Sequence, residues 1–121
     1  MRPIHRIGPS RYSPTRSRIV IHNGVLTTVA TADKKSQSLY EQSRDALATI
    51  DRHLEEAGTD KSRILMVMIY LTEIDKKAEF NRAWDEWVDH DNLPLRACVG
   101  VALEKSDLVE LVVTATIDKS V

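Results

Sequence analysis

The alternation of apolar and polar positions predicts β-strands near both ends of this chain. Residues 95–103 and 109–117 form two apolar runs joined by the polar loop 104–107. This pattern predicts a β-hairpin with a four-residue connection. Because side chains alternate across a strand, one face of each run is expected to point into the core. The predicted core positions are Leu95, Ala97, Val99, Val101 and Leu103 in the first run, and Val109, Leu111, Val113, Ala115 and Ile117 in the second.

A second hairpin is predicted over residues 17–32. Asn23 and Gly24 stand between two runs rich in β-branched residues. Both residues tolerate positive φ, so Asn-Gly at this place is a strong signal for a tight hairpin turn.

Two helices and one further strand are predicted between the hairpins. Residues 39–57 carry apolar side chains at helical spacing, with Ser36 or Ser38 as N-cap and Gly58 as the C-terminal stop. Another helix is predicted from Asp75 to residues 92–94. Residues 63–71 are apolar on both faces, which is typical of a central strand covered on both sides.

The predicted order is β-β-α-β-α-β-β in one domain of 121 residues. Both helices are expected on one face of a mixed sheet, which is an α+β architecture. The other face of the strand at 63–71 is too apolar to stay in water. We therefore expect that face to be buried against other subunits.

Residues 1–17 differ in composition from the rest of the chain. Up to position 18 there are three prolines and no acidic residue, together with five arginines: Arg2, Arg6, Arg11, Arg16 and Arg18. One reading is an arm that binds nucleic acid or phosphate. The other is a loosely ordered leader before a domain at 18–121. Tyr12 stands alone without an aromatic ladder, which favours the leader and makes nucleic acid an unexpected partner.

Charge and cysteine content restrict the class of protein further. The net charge is −1, and a single cysteine excludes an intrachain disulfide. No apolar run approaches the ~18 residues of a membrane span, and the start has no signal-peptide pattern. A cytoplasmic protein without membrane contact is expected. The four histidines lack the spacing of metal ligands, so no metal site is predicted.

Arg96 and Glu110 are each the only charged residue on a strand face. A charge on a covered face is costly without a partner, so water, a protein partner or a ligand is expected at each. The planar guanidinium of arginine suits a carboxylate, and a glutamate can hold and activate water. Together they would suit addition of water to a C=N bond beside a carboxylate.

The same residues lie in motifs that resemble a known family. P-x-R-x-C-V-x-V followed by V-E-φ-x-φ-x-A resembles the Rid (reactive intermediate deaminase) family, also called YjgF. The matching positions are Pro94, Arg96, Cys98, Val99, Val101, Val109 and Glu110. The helical segment F-N-x-x-W-x-x-W-V resembles one branch of that family, in which Asn81 matches a pocket position. The similarity runs from Arg18 to Ile117.

The resemblance implies a chorismate-mutase-like fold and a homotrimer with a cleft at each subunit junction. It implies hydrolysis of 2-imino or enamine acids to 2-keto acids and ammonia, without a metal or other cofactor. The implied partner is a small carboxylate-bearing imine or keto acid. The implied catalytic residues are Arg96 and Glu110, and the implied substrate-binding residues are Arg96, Ala97, Cys98, Asn81 and Ala30.

Two departures from the family pattern leave alternatives open. Val29-Ala30-Thr31 stands where members carry a Ser-Gly-Gln-like segment, and Tyr12 is the only candidate for an aromatic hydroxyl near the start. A non-catalytic trimer that binds keto acids is therefore the second hypothesis. RNA binding through the leader, ascribed to some members, is the third. Arg96 and Glu110 could reach a pocket from the same chain or from two.

Overall fold

The protein is described by a computed structural model, which covers residues 2–36 and 38–117. Two α-helices lie on one side of a six-stranded sheet. In chain order the elements are β1 (His5–Ile7), β2 (Ile19–His22), β3 (Val25–Thr31), α1 (Leu39–Glu56), β4 (Ile64–Leu71), α2 (Lys77–Trp87), β5 (Leu95–Gly100) and β6 (Val109–Thr116). Short 3₁₀ turns, Lys61–Arg63 and Ile74–Lys76, precede β4 and α2.

The strands lie in the order β1-β2-β3-β6-β4-β5. Only the β4–β5 pair is parallel. The predicted Asn-Gly hairpin is confirmed: Asn23 and Gly24 have φ values of 52° and 75° and join the antiparallel strands β2 and β3. The predicted α+β class, with a mixed sheet and two helices on one face, is also confirmed.

The hairpin predicted between residues 95–103 and 109–117 is wrong. β5 pairs in parallel with β4, and β6 lies between β3 and β4. The connecting residues instead cross the end of β4, where Val101 donates to the Leu71 carbonyl at 3.0 Å and Thr72 to the Leu108 carbonyl at 3.1 Å. A polar loop between two strand-like runs has the same local pattern whether or not the runs pair with each other.

The face predicted for β5 is also wrong. Leu95 is 72% exposed and Val99 37% exposed, although both were expected in the core. Register with β4 decides the outcome: Arg96 lies opposite Val67 and Cys98 opposite Ile69, and both β4 residues are fully buried under the helices. Arg96 and Cys98 therefore point to the helix-covered side. In β6 the predicted core positions are confirmed, since none is more than 8% exposed.

The leader contributes an element that the sequence analysis did not predict. Where a loosely ordered segment is expected over residues 1–17, the structure pairs His5–Ile7 with β2 as an antiparallel edge strand. The amide of Arg18 donates to the Ile7 carbonyl at 2.7 Å and closes the loop between β1 and β2. The open edge of β2 provides the backbone groups for this pairing.

The core lies between the sheet and the two helices. Ser38 caps α1 by accepting from the Glu41 amide at 3.2 Å, and α1 packs on both β3 and β6. Gln42 is fully buried on α1, where its amide nitrogen donates to the carbonyls of Ser36 and Ser106. Its oxygen accepts from the Leu108 amide at 3.0 Å. This single side chain therefore ties the loop before β6 to the first helix.

The second face of the sheet is not covered by any element that the structure describes. Register places Val29, Val112, Met68 and Ala97 side by side in one row across this face. Val29 is 47% exposed there. We call this side the uncovered face. In the part of the chain that is described, no helix has the length and hydropathy to cross a membrane.

A buried polar pair joins β3 to α1 on the helix side. Thr28 is 1% exposed, and its hydroxyl donates to the Arg18 carbonyl at 2.8 Å. A hydroxyl has one proton, so the 2.7 Å contact with His53 Nδ1 is donated by the imidazole N–H. Burial lowers the pKa of His53, which keeps the ring neutral in this role.

We expect Thr28→Val to lower the free energy of unfolding by about 1–3 kcal/mol, because the Arg18 carbonyl and the His53 N–H lose their buried partner. Urea unfolding at a fixed protein concentration and pH 7 measures this loss. Thr27→Val is the matched control, since Thr27 is exposed on the opposite face of the same strand. Equal losses in the two variants would contradict the assignment.

Candidate active site

Arg96 is held at the edge of the sheet by side chains from α2. Its Nη2 donates to Asn81 Oδ1 at 2.6 Å. The guanidinium carbon lies 5.5 Å from the ring centroid of Phe80 and 5.2 Å from that of Trp84. These are cation–π distances, and no carboxylate among the described residues forms a salt bridge with Arg96. The cation is therefore positioned but not neutralised.

The sequence of α2 explains how this support forms. Phe80 and Trp84 are four residues apart and so lie one turn apart on the same face. Phe80 is fully buried and Trp84 is 6% exposed, with their ring centroids 6.1 Å apart. Asn81 follows Phe80 at the margin of that face. The parallel pairing of β5 with β4 then brings Arg96 beneath these three side chains.

Glu110 lies near the start of β6 on the uncovered face. Register places Thr31 of β3 on one side of it and Tyr70 of β4 on the other. Burial raises the pKa of the Glu110 carboxyl, and Asp107 and Glu104 raise it further by repulsion, while Arg16 acts in the opposite direction. A carboxyl with a raised pKa exchanges protons with water more readily near neutral pH, as a general base requires.

Arg96 and Glu110 do not meet within one chain. They lie on opposite faces of the sheet, two strands apart and three residues apart along the strand direction. With strands ~4.8 Å apart and a rise of ~3.3 Å per residue, this separates their Cα atoms by about 14 Å. The single chain therefore does not bring the two side chains together on one face of the sheet.

The remaining predicted site residues occupy different environments. Cys98 packs against the core, and burial raises the pKa of its thiol, which disfavours the nucleophilic thiolate. Ala97 faces the uncovered side opposite Met68. Ala30 is 4% exposed within the core, so only its main chain could contact a ligand.

Sequence reasoning missed four side chains around these positions. The rings of Phe80 and Trp84 support Arg96, and Thr31 and Tyr70 are the cross-strand neighbours of Glu110. A polar residue inside the apolar run of β4 was a signal for Tyr70. Thr31 could be recognised as a neighbour of Glu110 only from the pairing of β3 with β6, which the sequence does not show. Among the described residues, no three His, Cys, Asp or Glu side chains come together as a metal site.

Replacement of Glu110 by Gln should stabilise the folded state at neutral pH. The pKa of Glu110 is raised above its ordinary value of 4.5 in the folded state. Wild type therefore loses stability as the pH rises from below 4.5 through the folded pKa. The amide introduced by Glu110→Gln does not titrate, so the variant does not lose this stability. The stability difference should therefore vanish in acid and reach a plateau above the folded pKa. Thermal unfolding over a pH series measures it.

Glu55→Gln is the control for this experiment, because Glu55 is exposed on α1 and is not among the charges that shift the pKa of Glu110. The same pH-dependent gain in both variants would mean that overall charge, rather than burial at Glu110, causes the effect.

Comparison with known proteins identifies the family. The family model described as endoribonuclease L-PSP matches residues 8–117. A RutC family protein from Haemophilus influenzae is 38% identical over 116 residues, covering 93% of this chain and 97% of the relative. Another, from Haemophilus ducreyi, is 39% identical over 104 residues, covering 84% and 89%.

Solved structures agree with these sequence matches. A member of the YjgF protein family from Neisseria meningitidis superposes with a TM-score of 0.90 at 34% identity, covering 98% of each chain. A Rid family protein of unknown function from Yersinia pestis gives a TM-score of 0.88 at 28% identity, covering 95% of this chain and all of that one. Together with the family-model match, these similarities show that the chain belongs to the Rid, or YjgF, family.

Proposed function

We propose that this protein hydrolyses 2-imino or enamine acids to 2-keto acids and ammonia. The observation that carries the proposal is the guanidinium of Arg96, which two aromatic rings and Asn81 hold without a carboxylate partner among the described residues. Such a group can offer two parallel N–H donors to the carboxylate of a small acid. The carboxylate of the substrate would then neutralise the charge of Arg96.

The proposed reaction needs a bound water and a group that moves protons. Glu110 takes a proton from the bound water as the water oxygen attacks the imine carbon, and the C=N bond becomes a C–N single bond. Glu110 returns that proton to the nitrogen, which gives a neutral carbinolamine. The Glu110 carboxylate then moves the proton of the carbinolamine hydroxyl to the nitrogen, the C=O bond forms as the C–N bond breaks, and the keto acid and ammonia leave. Thr31 and Tyr70 are the cross-strand neighbours of Glu110, so their hydroxyls could orient that water.

A homotrimer would bring these groups together. The uncovered face presents Val29, Met68 and Ala97, and such apolar area is typically buried against a partner. Packing these faces inward would place Glu110 of one copy near the β5 edge of the next. That edge carries Arg96 with the main chain of Ala97 and Cys98. We propose that the substrate lies in this junction and that the protein acts in the cytoplasm.

A non-catalytic trimer that binds keto acids is the second candidate. It is favoured by Ala30, whose buried methyl group presents no hydroxyl where the family pattern has a serine-containing segment. The two candidates differ in turnover but not in carboxylate binding.

Cleavage of RNA has less support despite the name of the family model. Three of the histidines are bonded separately: His22 to the Pro3 carbonyl, His53 to Thr28, and His90 to the Asp85 carbonyl. None of these three hydrogen bonds joins one histidine to another as an acid–base pair would require.

We expect wild type to accelerate hydrolysis of enzymatically generated 2-iminopropanoate, measured by competition with semicarbazide. Arg96→Ala should lower kcat/KM about 100-fold, because ~2.7 kcal/mol of charge-assisted hydrogen bonding to the carboxylate is lost. Arg82→Ala is the matched control, since Arg82 lies on the outer side of α2 against Tyr40. Full activity of Arg96→Ala would exclude the proposed binding mode.

Glu110→Gln separates the enzyme from the binding protein in the same assay. An enzyme should lose turnover but still be stabilised by 2-oxobutyrate in thermal unfolding. Stabilisation of wild type by the keto acid without turnover of any imine in a broad panel would favour the second candidate.

Replacement of Cys98 by Ala should lower kcat/KM by less than tenfold. Burial raises the pKa of the thiol, so a thiolate nucleophile is disfavoured and the side chain serves as a small wall. The semicarbazide assay measures this directly. A loss as large as that of Arg96→Ala would instead assign chemistry to the sulfur.

A further inference from the structure

Residues 8–18, which connect β1 to β2, fold back as a closed loop at one end of the sheet. Its backbone is fixed by the Ser10 amide, which donates to the Arg16 carbonyl at 2.7 Å, and by the Arg18 amide on Ile7. A Cβ on Gly8 would lie 3.0 Å from the Ser17 Cα, so the two ends of the loop touch. The loop therefore holds its backbone in a defined arrangement.

The tip of the loop is fastened to the segment after β3. Tyr12 donates its hydroxyl proton to Asp33 Oδ1 at 2.7 Å, and Arg11 forms a 3.2 Å salt bridge with the same carboxylate. Burial and the bond to Asp33 raise the pKa of Tyr12 to about 12. β6 begins at this same end, since Thr31 at the end of β3 lies opposite Glu110. The leader is thus directed towards the candidate active site.

A cleft of about 450 Å³ opens within the leader. Arg6 and Arg16 line it with the hydroxyl residues Thr15 and Ser17. Arg6 lies opposite Val20, which is on the uncovered face together with Thr27. Two guanidiniums and two hydroxyls around one cleft provide the donors that a carboxylate or phosphate accepts.

Arg6 and Arg16 differ from Arg11 and Arg18, which both have carboxylate partners. Arg11 is bound to Asp33 and Arg18 to Glu56 at 2.5 Å. Neither Arg6 nor Arg16 has a carboxylate within salt-bridge distance in the described part of the chain. Arg16 is also close enough to Glu110 for its charge to lower the pKa of that carboxyl. Arg16 therefore lines the cleft and is also within electrostatic range of the proposed catalytic group.

We propose that Arg16, assisted by Arg6, forms a second anion subsite that selects imino acids with another carboxylate at the end of a short side chain. The proposal rests on the function proposed above. In it, Arg96 would bind the carboxylate beside the imine, and Arg16 near Glu110 would bind the distal one. The planar fork of each guanidinium suits a carboxylate bound by two parallel hydrogen bonds.

A compact diacid fits these surroundings better than an extended polyanion. Glu104 and Glu110 carry negative charge in this region and would repel a chain of phosphates, whereas Asp107 is paired with Lys35. The Tyr12 ring could stack a base, but it is already in contact with Arg11 and Lys35 at 5.4 and 5.7 Å from its centroid. The net charge of the chain is −1, which also disfavours binding of nucleic acid.

The test compares 2-iminoglutarate with 2-iminopropanoate as substrates, both generated enzymatically and followed by semicarbazide competition. The quantity of interest is the ratio of their kcat/KM values. Wild type should favour 2-iminoglutarate, and Arg16→Gln should lower the ratio at least tenfold. Arg16→Lys should restore part of it, because the charge returns without the fork. Arg2→Gln, an exposed leader variant, should leave the ratio unchanged.

Binding measurements distinguish failure of this inference from failure of the proposed function. Calorimetry with 2-oxoglutarate and 2-oxobutyrate should show the same preference and the same loss in Arg16→Gln. Turnover with an unchanged ratio in Arg16→Gln would overturn the subsite and leave the deaminase intact. A diacid preference in binding without any turnover would support the subsite and overturn the deaminase. Absence of both would overturn both.

Free phosphate provides the final comparison. At equal ionic strength, sodium chloride and sodium phosphate should reduce the diacid preference to the same extent, through screening. Loss of the preference in phosphate alone would assign the cleft to free phosphate and overturn the proposal. An RNA oligonucleotide that binds wild type but not Arg16→Gln would likewise overturn it in favour of a nucleic-acid site.

Discussion

The pairing of β6 with both β3 and β4 fixes the arrangement of the whole molecule. Its alternate residues, including Leu111 and Val113, are at most 1% exposed on the helix side, so the register of β6 cannot slip without turning these side chains out of the core. The face of Glu110 follows from this register. Through β4, the same pairing decides which side chains of β5 turn towards α2, and so where Arg96 lies.

The two charges of the candidate site are kept apart by that constraint. Arg96 lies on the helix side against aromatic rings, and Glu110 lies on the uncovered face between two hydroxyl residues. Each is partly buried without an opposite charge in contact, which costs folding free energy that a ligand or a neighbouring copy could recover. Assembly would then both cover the apolar face and complete the pocket. In this view the oligomer is part of the catalytic apparatus.

The leader brings further charged groups to the end of the sheet at which β6 begins. Its loop is closed by backbone hydrogen bonds and fastened at Asp33, and it leaves two guanidiniums beside a cleft. A loop that carries charge to the margin of a pocket can change the choice of substrate while the reaction stays the same. This agrees with the general tendency of loops to carry specificity on a rigid scaffold.

The sequence by itself determined the local structure and the chemistry of single positions. Helical spacing predicted both helices, and Asn23-Gly24 predicted the β2–β3 hairpin. The motifs around Arg96 and Glu110 indicated the family. Each of these signals depends only on residues that are close together in the sequence. Only the tertiary structure decided that β5 pairs in parallel with β4, that Arg96 turns towards the helices, and that Thr31 and Tyr70 flank Glu110. Those outcomes depend on hydrogen bonds between strands distant in sequence, and apolar residues on both faces of β5 leave either orientation open to a local reading.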